Sequence, residues 1–263
     1  IEYEASRHGY RVLLGNTNRK VENEYDLVEL LKKRQTDGMI LLSERMDSND
    51  IKSLSEEYPL VLATAYIEGL KVPSVSIDNV SSSREAVEHL IRLGHKEIAH
   101  ITGPLQFGIS KGRYKGYKQA LMQNNLEVRN MLVQEGDFTF ESGYNQMLKF
   151  MAIEKTPTAI FAANDEMAMG AVKAVKEFGL NVPRDIAIVG FDNIAFSSKF
   201  DPAITTVAQP LFEMGQKSMK LLLQQIQGKP IIKSQYILDC ELIVRDSCGG
   251  KGKEKVINEK IST

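Results

Sequence analysis

Short apolar runs rich in β-branched residues alternate with segments of helical spacing along almost the whole chain. Runs that stay apolar on both faces are typical of strands covered by helices on both sides, as in parallel sheets. Nine runs have this character, at residues 10–14, 38–42, 60–63, 74–77, 97–102, 132–135, 159–163, 186–191 and 205–207. The alternation predicts βαβ units and an α/β fold with doubly wound sheets.

The segments between the runs carry the apolar spacing of amphipathic helices. Residues 80–93 and 164–178 each place apolar side chains on one face and end at a glycine, and residues 212–226 precede Gly228 and Pro230. Eight or nine strands are more than a typical single sheet contains. We therefore expect two Rossmann-like lobes, each a parallel sheet flanked by helices.

The two ends of the chain depart from this pattern. Residues 1–8 have helical spacing and Gly9 is placed to end the helix, yet no strand precedes it as a βαβ unit requires. We expect a fragment cut within its first helix, or one in which the first strand is missing. Residues 250–263 are charged and lack an apolar face, which predicts a disordered tail.

Composition argues against several classes of protein. The 263 residues include 33 Lys and Arg against 34 Asp and Glu, so the chain has no bulk attraction to nucleic acid or anionic membranes. It has no run long enough to span a bilayer and no signal-peptide pattern. Two cysteines, Cys240 and Cys248, suit a reducing compartment, so we expect a cytoplasmic chain.

Catalytic signatures are absent from the sequence. It contains no dinucleotide fingerprint, phosphate-binding loop, nucleophile elbow or zinc-protease motif. His89, His95 and His100 are interpreted as packing or surface histidines, and neither cysteine has a histidine close by in sequence. We therefore expect a binding protein rather than an enzyme, with no metal and no other cofactor.

Polar residues follow several predicted strands at their carboxyl ends, where open α/β sheets bind ligands. Asp192 follows the run 186–191, Asn164 follows 159–163 and Gln209 follows 205–207. Each has a structural alternative. Asp192 and Asn164 fit helix or turn caps, and Gln209 fits a residue that satisfies backbone groups at a chain crossing.

A cation completes this set. Arg113 falls in the first turn of a predicted helix, where a positive charge opposes the helix dipole. Lys111 and Lys115 beside it leave open the alternative of a solvated basic face.

One cation, one carboxylate and two amides offer both donors and acceptors, as the hydroxyl groups of a sugar require. Phe138 is the first candidate for an aromatic wall against the apolar side of a sugar ring, with a core phenylalanine as the alternative. Phe107 and Phe191 are weaker candidates for the same role.

Ten short motifs follow one another along the chain: VSIDN (75–79), LGHKEI (93–98), GPL (103–105), GRYKGY (112–117), GDF (136–138), PTAIF (157–161), NDEMAMG (164–170), GLNVP (179–183), VGFDN (189–193) and ITTVAQP (204–210). Each motif is weak alone. In joint order and spacing they resemble the effector-binding core of the LacI/GalR family of bacterial transcription regulators, over residues 1–248.

This resemblance implies a periplasmic-binding-protein-like fold, with two lobes joined by three crossovers and a ligand pocket between them. The crossovers fall near 76–79, 208–210 and 235–239. The N-terminal lobe would be residues 1–76 plus 210–236, and the C-terminal lobe 77–209 plus 237–249. The effector-contacting residues of the family fall on Arg113, Asp192, Asn164, Phe138 and Gln209.

The chain departs from the family pattern in three ways. The helix-turn-helix and hinge helix that should precede the core are absent, and so is the first strand. Purine-type members carry a second Arg and a Thr in the loop after the GPL motif, where this chain has Phe107 and Ile109. The effector expected from the resemblance is therefore a sugar, a sugar phosphate or a protein corepressor.

The sequence thus predicts the effector-binding and dimerisation core of a cytoplasmic, homodimeric repressor. It would sense a small sugar-like metabolite and control operator DNA binding allosterically, through an N-terminal domain absent from this chain, with no membrane partner. The alternative is a periplasmic sugar-binding protein of a transport system, which shares the fold.

Overall fold

The computed structural model describes residues 1–42, 45–64, 67 and 69–250. The chain forms two compact units, Ile1–Ile77 with Pro210–Asp239 and Asp78–Gln209 with Cys240–Thr263. It therefore passes from one unit to the other three times. The second part of the first unit ends at residue 239, where the sequence placed the boundary at 236. Residues 251–263 of the predicted tail lie outside the described part.

Eight helices and ten strands are described in this part of the chain. The helices are α1 (Glu2–Arg7), α2 (Val21–Lys32), α3 (Ser48–Glu57), α4 (Asn79–Arg92), α5 (Gly108–Gln123), α6 (Phe140–Met151), α7 (Asp165–Glu177) and α8 (Leu211–Ile226), with a 3-10 turn at Asn130–Leu132. The strands are β1 (Met39–Leu41), β2 (Leu60–Ala63), β3 (Ser74–Ile77), β4 (Ile98–Thr102), β5 (Val133–Glu135), β6 (Ala159–Ala162), β7 (Ala187–Asp192), β8 (Thr205–Ala208), β9 (Gln235–Leu238) and β10 (Glu241–Ile243).

The first unit is built on a four-stranded parallel sheet of order β1-β2-β3-β9. Helices α2 and α3 bury Val28, Leu31, Ile51 and Leu54 in one core cluster with Leu60 and Leu62 of β2. Helix α8 packs against β1, β2 and β3. Central strands covered in this way need apolar residues on both faces, and all four residues of β2 are buried.

The prediction of a strand at residues 10–14 is wrong. The structure gives this segment no strand pairing. Tyr10 N–H donates a hydrogen bond to the Ala5 carbonyl at the C-terminal end of α1. Leu13 and Leu14 are 68% and 84% exposed. An apolar run becomes a strand only when a neighbouring strand offers a hydrogen-bonding ladder, and the described sheet ends at β1.

The second unit contains a six-stranded sheet of order β10-β8-β7-β6-β4-β5. All neighbouring strands run parallel except β10, which is antiparallel to β8 at one edge. Ile160 and Ala162 in β6 lie in a core cluster with α6 and α7. Phe161 between them stacks on His100, whose ring also stacks on Tyr117 of α5. Alternate side chains of β6 therefore pack with different helices on its two faces.

Glycines allow the helices of this unit to approach closely. A Cβ on Gly116 of α5 would lie 2.2 Å from the Val80 carbonyl oxygen of α4. In the other pair, a Cβ on Gly143 of α6 would lie 2.2 Å from the Met167 oxygen, and one on Gly170 of α7 would lie 2.0 Å from the Phe140 oxygen. Side chains larger than hydrogen would force these helices apart.

These two units confirm the predicted α/β fold, with parallel sheets flanked by helices. None of the helices in the described ranges combines the length and the hydropathy needed to cross a bilayer.

Candidate functional site

The carboxyl ends of four neighbouring strands supply most of the predicted site. In the order β8-β7-β6-β4, Gln209 follows β8, Asp192 ends β7, Asn164 follows β6 after one residue, and Gly103 follows β4. Because these strands are parallel and adjacent, the residues share one edge of the sheet. This edge is where open α/β sheets bind their ligands.

Arg113 reaches this edge from α5 and is 4% exposed. Its Nε donates to Asn79 Oδ1 over 2.9 Å, its Nη1 donates to the Ala163 carbonyl, and its guanidinium carbon lies 3.7 Å from the centre of the Phe191 ring. Helix α5 begins at Gly108, so the prediction that Arg113 lies in its first turn is wrong. Burial also contradicts the alternative of a solvated basic face.

Asp192 forms the other half of an ion pair, with Oδ1 at 3.3 Å from Arg113 Nη2. The same oxygen accepts a hydrogen bond from Gln209 Nε2 over 2.7 Å. No side chain in the described part of the chain bonds to the second carboxylate oxygen, and the Asp192 side chain is 26% exposed. The carboxylate of the pair is therefore partly exposed, whereas its cation is buried.

Burial and charge act in opposite directions on this pair. Burial raises the pKa of the Asp192 carboxyl above its ordinary value, while the charge of Arg113 and the Gln209 hydrogen bond lower it. Burial lowers the pKa of the Arg113 guanidinium, opposed by the charge of Asp192. A guanidinium stays protonated in proteins, so Arg113 remains the cation of the pair.

Asn164 and Phe138 form a second contact along the same edge. Asn164 caps α7 by accepting the Met167 N–H over 3.0 Å, and its Nδ2 donates to the Phe138 carbonyl over 2.9 Å. The half-buried Phe138 ring packs against Gly103, where a Cβ would lie 2.1 Å from it. Asn164 therefore does cap a helix, as the structural alternative predicted. Its second amide N–H is not used in these two hydrogen bonds.

Ala163 connects the two groups of residues. Its carbonyl accepts from Arg113, and its chain neighbour is Asn164. The structure therefore brings Arg113, Asp192 and Gln209 into direct contact and holds Asn164 and Phe138 beside them. Of the weaker aromatic candidates, Phe191 is fully buried beneath the Arg113 guanidinium. Phe107 precedes the first residue of α5 and is half-buried.

Asn79 is a site residue that the sequence reasoning missed. It is the first residue of α4, fixed there because Asp78 Oδ1 accepts from Val80 N–H and Ser81 N–H over 3.0 and 2.9 Å. From this position its carboxamide oxygen orients Arg113. The available signal was an asparagine within the VSIDN motif, directly after a helix-capping aspartate.

The arrangement suits hydrogen bonding to a hydroxylated molecule. It offers the second carboxylate oxygen of the partly exposed Asp192, unused N–H groups of Arg113 and an amide of Asn164, beside the half-buried Phe138. A hydroxyl group can donate to the first and accept from the others. In the ranges that the structure describes, no cluster of three or more His, Cys, Asp or Glu could hold a metal ion.

Comparison with known proteins places this chain in a family. Residues 87–248 match the family described as "Periplasmic binding protein-like domain". The chain is 39% identical over 248 residues to the HTH-type transcriptional repressor CytR of Escherichia coli K12, covering 94% of this chain and 73% of that protein.

Two solved structures extend the similarity. A regulatory protein of the LacI family from Chloroflexus aggregans is 30% identical, with a TM-score of 0.83 and coverage of 94% of this chain and 89% of its own. A complex of the transcriptional regulator CelR with cellobiose is 31% identical, with a TM-score of 0.86 and coverage of 94% and 76%. The domain match spans more than half of the chain, and the relatives are repressors and regulators. The chain therefore belongs to the periplasmic binding protein-like domain family and, within it, to the LacI/GalR family of transcriptional repressors.

Proposed function

We propose that this chain is the effector-binding core of a cytoplasmic repressor, and that it binds a small sugar-like molecule through Arg113, Asp192 and Gln209, with Asn164 and Phe138 alongside. The observation that carries the proposal is the geometry of Asp192. Its Oδ1 is occupied by Arg113 and Gln209, while the side chain is 26% exposed and no described side chain bonds to the other carboxylate oxygen. That oxygen is ready to accept a hydrogen bond from a ligand hydroxyl.

Fixed geometry matters because binding is stronger when the ligand does not have to order the site. Arg113 is held at three points, by Asn79, by Ala163 and by Asp192. These contacts use three of its five N–H groups, so two remain for acceptor atoms of a ligand. A ligand with adjacent hydroxyls would pair with both halves of the ion pair.

The charge distribution favours a neutral sugar over a sugar phosphate at this position. Arg113 is 4% exposed and Asp192 is 26% exposed, so an approaching ligand meets the carboxylate first. A phosphate group next to Asp192 would be repelled by its charge. The cellobiose bound to the related regulator CelR is a neutral sugar and supports this class of ligand.

Calorimetric titration of the chain with free sugars, sugar phosphates and purines tests the proposal. We expect a free sugar to bind, and Asp192→Asn to weaken that binding at least tenfold, because an amide replaces a charged acceptor. The matched control is Asp201→Asn, which changes a carboxylate that is 94% exposed. Equal affinity of Asp192→Asn and wild type, or tightest binding by a phosphate or purine, would reject the proposed site chemistry.

We further propose that the protein acts as a homodimer and that the effector changes operator affinity through a DNA-binding domain. Family membership supports this over a transport protein, because the relatives are transcriptional repressors. Light scattering of the chain should give a dimer mass.

A chain joined to the family's DNA-binding domain should show operator affinity that changes with the effector. If only another protein changes it, that protein is the corepressor.

A further inference from the structure

The backbone that carries Asp192 adopts an unfavourable conformation. Asp192 has φ of +104° and Asn193 has φ of +56°, so two consecutive non-glycine residues lie in the left-handed region. Such conformations persist only where surrounding contacts hold them. The 192–193 turn, as we call this pair, begins at the last ladder position of β7, where Asp192 pairs with Ala208 of β8.

Three hydrogen bonds from three separate parts of the chain hold the 192–193 turn. Asn193 N–H donates to Thr206 Oγ1 over 3.2 Å, and Ile194 N–H donates to Asp165 Oδ2 over 2.9 Å. Arg245 Nη2 donates to Asn193 Oδ1 over 2.7 Å. Thr206 belongs to β8, Asp165 to α7, and Arg245 follows β10.

The groups that make these bonds are themselves fixed. Thr206 and Asp165 have no exposed surface. Arg245 Nη1 donates to the Ile204 carbonyl over 2.8 Å and to Ser197 Oγ over 3.2 Å. Asp165 fits under the turn because the neighbouring strand residue is Gly190, where a Cβ would lie 2.4 Å from Asp165 Oδ1.

We propose that Thr206, Asp165 and Arg245 are positioning residues that hold the 192–193 turn, so that the Asp192 carboxylate meets Arg113 and Gln209. Rotation about the N–Cα bond of Asp192 toward an ordinary negative φ would swing its side chain out of that contact. None of the three needs to touch a ligand. The importance of this positioning for binding rests on the proposed function, but the geometry is testable without any ligand.

The test compares Thr206→Val with Thr206→Ser by NMR of the ligand-free chain. Valine keeps the shape of threonine and removes the acceptor, whereas serine keeps the hydroxyl. We expect Thr206→Val to speed hydrogen exchange of the Asn193 amide at least tenfold and to shift the Arg113 Nε–H and Asp192 carboxyl resonances. Thr206→Ser should retain the wild-type exchange rate and resonances.

Asn193→Ala and Asn193→Asp provide a second matched pair if Thr206→Val does not fold. Alanine removes the acceptor for Arg245, and aspartate keeps one. Unchanged Arg113 and Asp192 resonances in the folded variants that lose the acceptor would overturn the positioning role, whatever their stability. If those resonances move as expected but the wild type binds no free sugar, the positioning role stands and the proposed function fails.

Discussion

At the scale of single residues, the site depends on a buried cation whose partner is partly exposed. Replacing Arg113 with alanine removes the two N–H groups that we propose for ligand binding and leaves Asp192 without its cation. We expect the free energy of effector binding to weaken by about 1.5–3 kcal/mol, the range for hydrogen bonds to charged groups. Calorimetry against the tightest-binding sugar measures this loss.

The control for this prediction is Arg92→Ala, because the Arg92 side chain is 60% exposed on α4 and contacts Glu88 weakly at 4.0 Å. It should leave effector affinity unchanged. Equal affinities of Arg113→Ala and Arg92→Ala would show that Arg113 has only a structural role.

Asp165 gives a second prediction at this scale, from its burial under the 192–193 turn. Burial raises the pKa of its carboxyl to about 7, whereas the unfolded chain has the ordinary value of 3.8. Between these values the unfolded state loses a proton that the folded state keeps, so the contribution of Asp165 to stability falls as pH rises from 4 to 7. Asparagine does not titrate and should not show this loss.

We therefore expect Asp165→Asn to gain stability relative to wild type as pH rises from 4 to 7, by roughly 3–4 kcal/mol from the pKa difference. Urea unfolding of both proteins at several pH values measures the change. Using the difference between the two proteins removes the effect of every other titrating group. A difference that stays constant over this range would mean that the Asp165 carboxyl titrates normally.

At the scale of secondary-structure elements, a ring stack between the sheet and α5 contains a histidine. His100 of β4 lies against Tyr114, Tyr117 and Phe161, and its Nδ1–H donates to the Phe161 carbonyl over 2.8 Å. Burial lowers the pKa of His100 from 6.5 to about 4. The imidazole is therefore neutral inside the stack at neutral pH.

The sign of the resulting pH dependence is opposite to that of Asp165. Between pH 6.5 and pH 4, His100 is protonated in the unfolded chain but stays neutral in the folded chain. The free energy of unfolding therefore falls as pH drops from 6.5 to 4. The expected loss is roughly 3 kcal/mol. His100→Gln should be less stable at pH 7 but should lack this dependence. The same slope in variant and wild type would exclude His100 as its source.

The close contact of α6 and α7 is a further testable feature. Gly170→Ala would place a methyl group 2.0 Å from the Phe140 carbonyl oxygen, which is backbone and cannot move aside alone. We expect a loss of about 3 kcal/mol in the free energy of unfolding, at the upper end of overpacking costs. Lys173→Ala, exposed on the same helix, should cost under ~0.5 kcal/mol. Equal stabilities would mean that the helices separate freely.

These elements also show how far the sequence predicts structure. The strands at 60–63 and 74–77 were predicted with their observed bounds, because unbroken apolar runs mark strands buried on both faces. The strand at 10–14 was wrong, since the run itself does not reveal whether a partner strand lies beside it. Edge strands β9 and β10 are largely exposed, and their weaker apolar patterns were not singled out.

The candidate site was predictable to a similar degree. Asp192, Asn164 and Gln209 were found because parallel strands end at one edge. Asp165 gave no signal, because an aspartate in the first turn of a helix usually faces solvent. Its burial is possible because Gly190 is adjacent to it in space, which is a tertiary contact between distant residues.

At the scale of the whole molecule, the second unit includes the continuous stretch Asp78–Gln209. Every candidate site residue lies within this stretch. The residues proposed to contact the ligand therefore all belong to one compact unit of the chain. Membership of the LacI/GalR family indicates that ligand binding at this site would regulate transcription. The hydrogen-bonding groups of the described site residues would determine which ligand binds.

A crystal structure of the chain with the tightest-binding sugar of the panel tests the central claim most directly. The account predicts a sugar hydroxyl within hydrogen-bonding distance of Asp192 Oδ2, with Arg113 and Gln209 still bonded to Oδ1. A sugar bound elsewhere on the chain, with that oxygen facing only water, would contradict it.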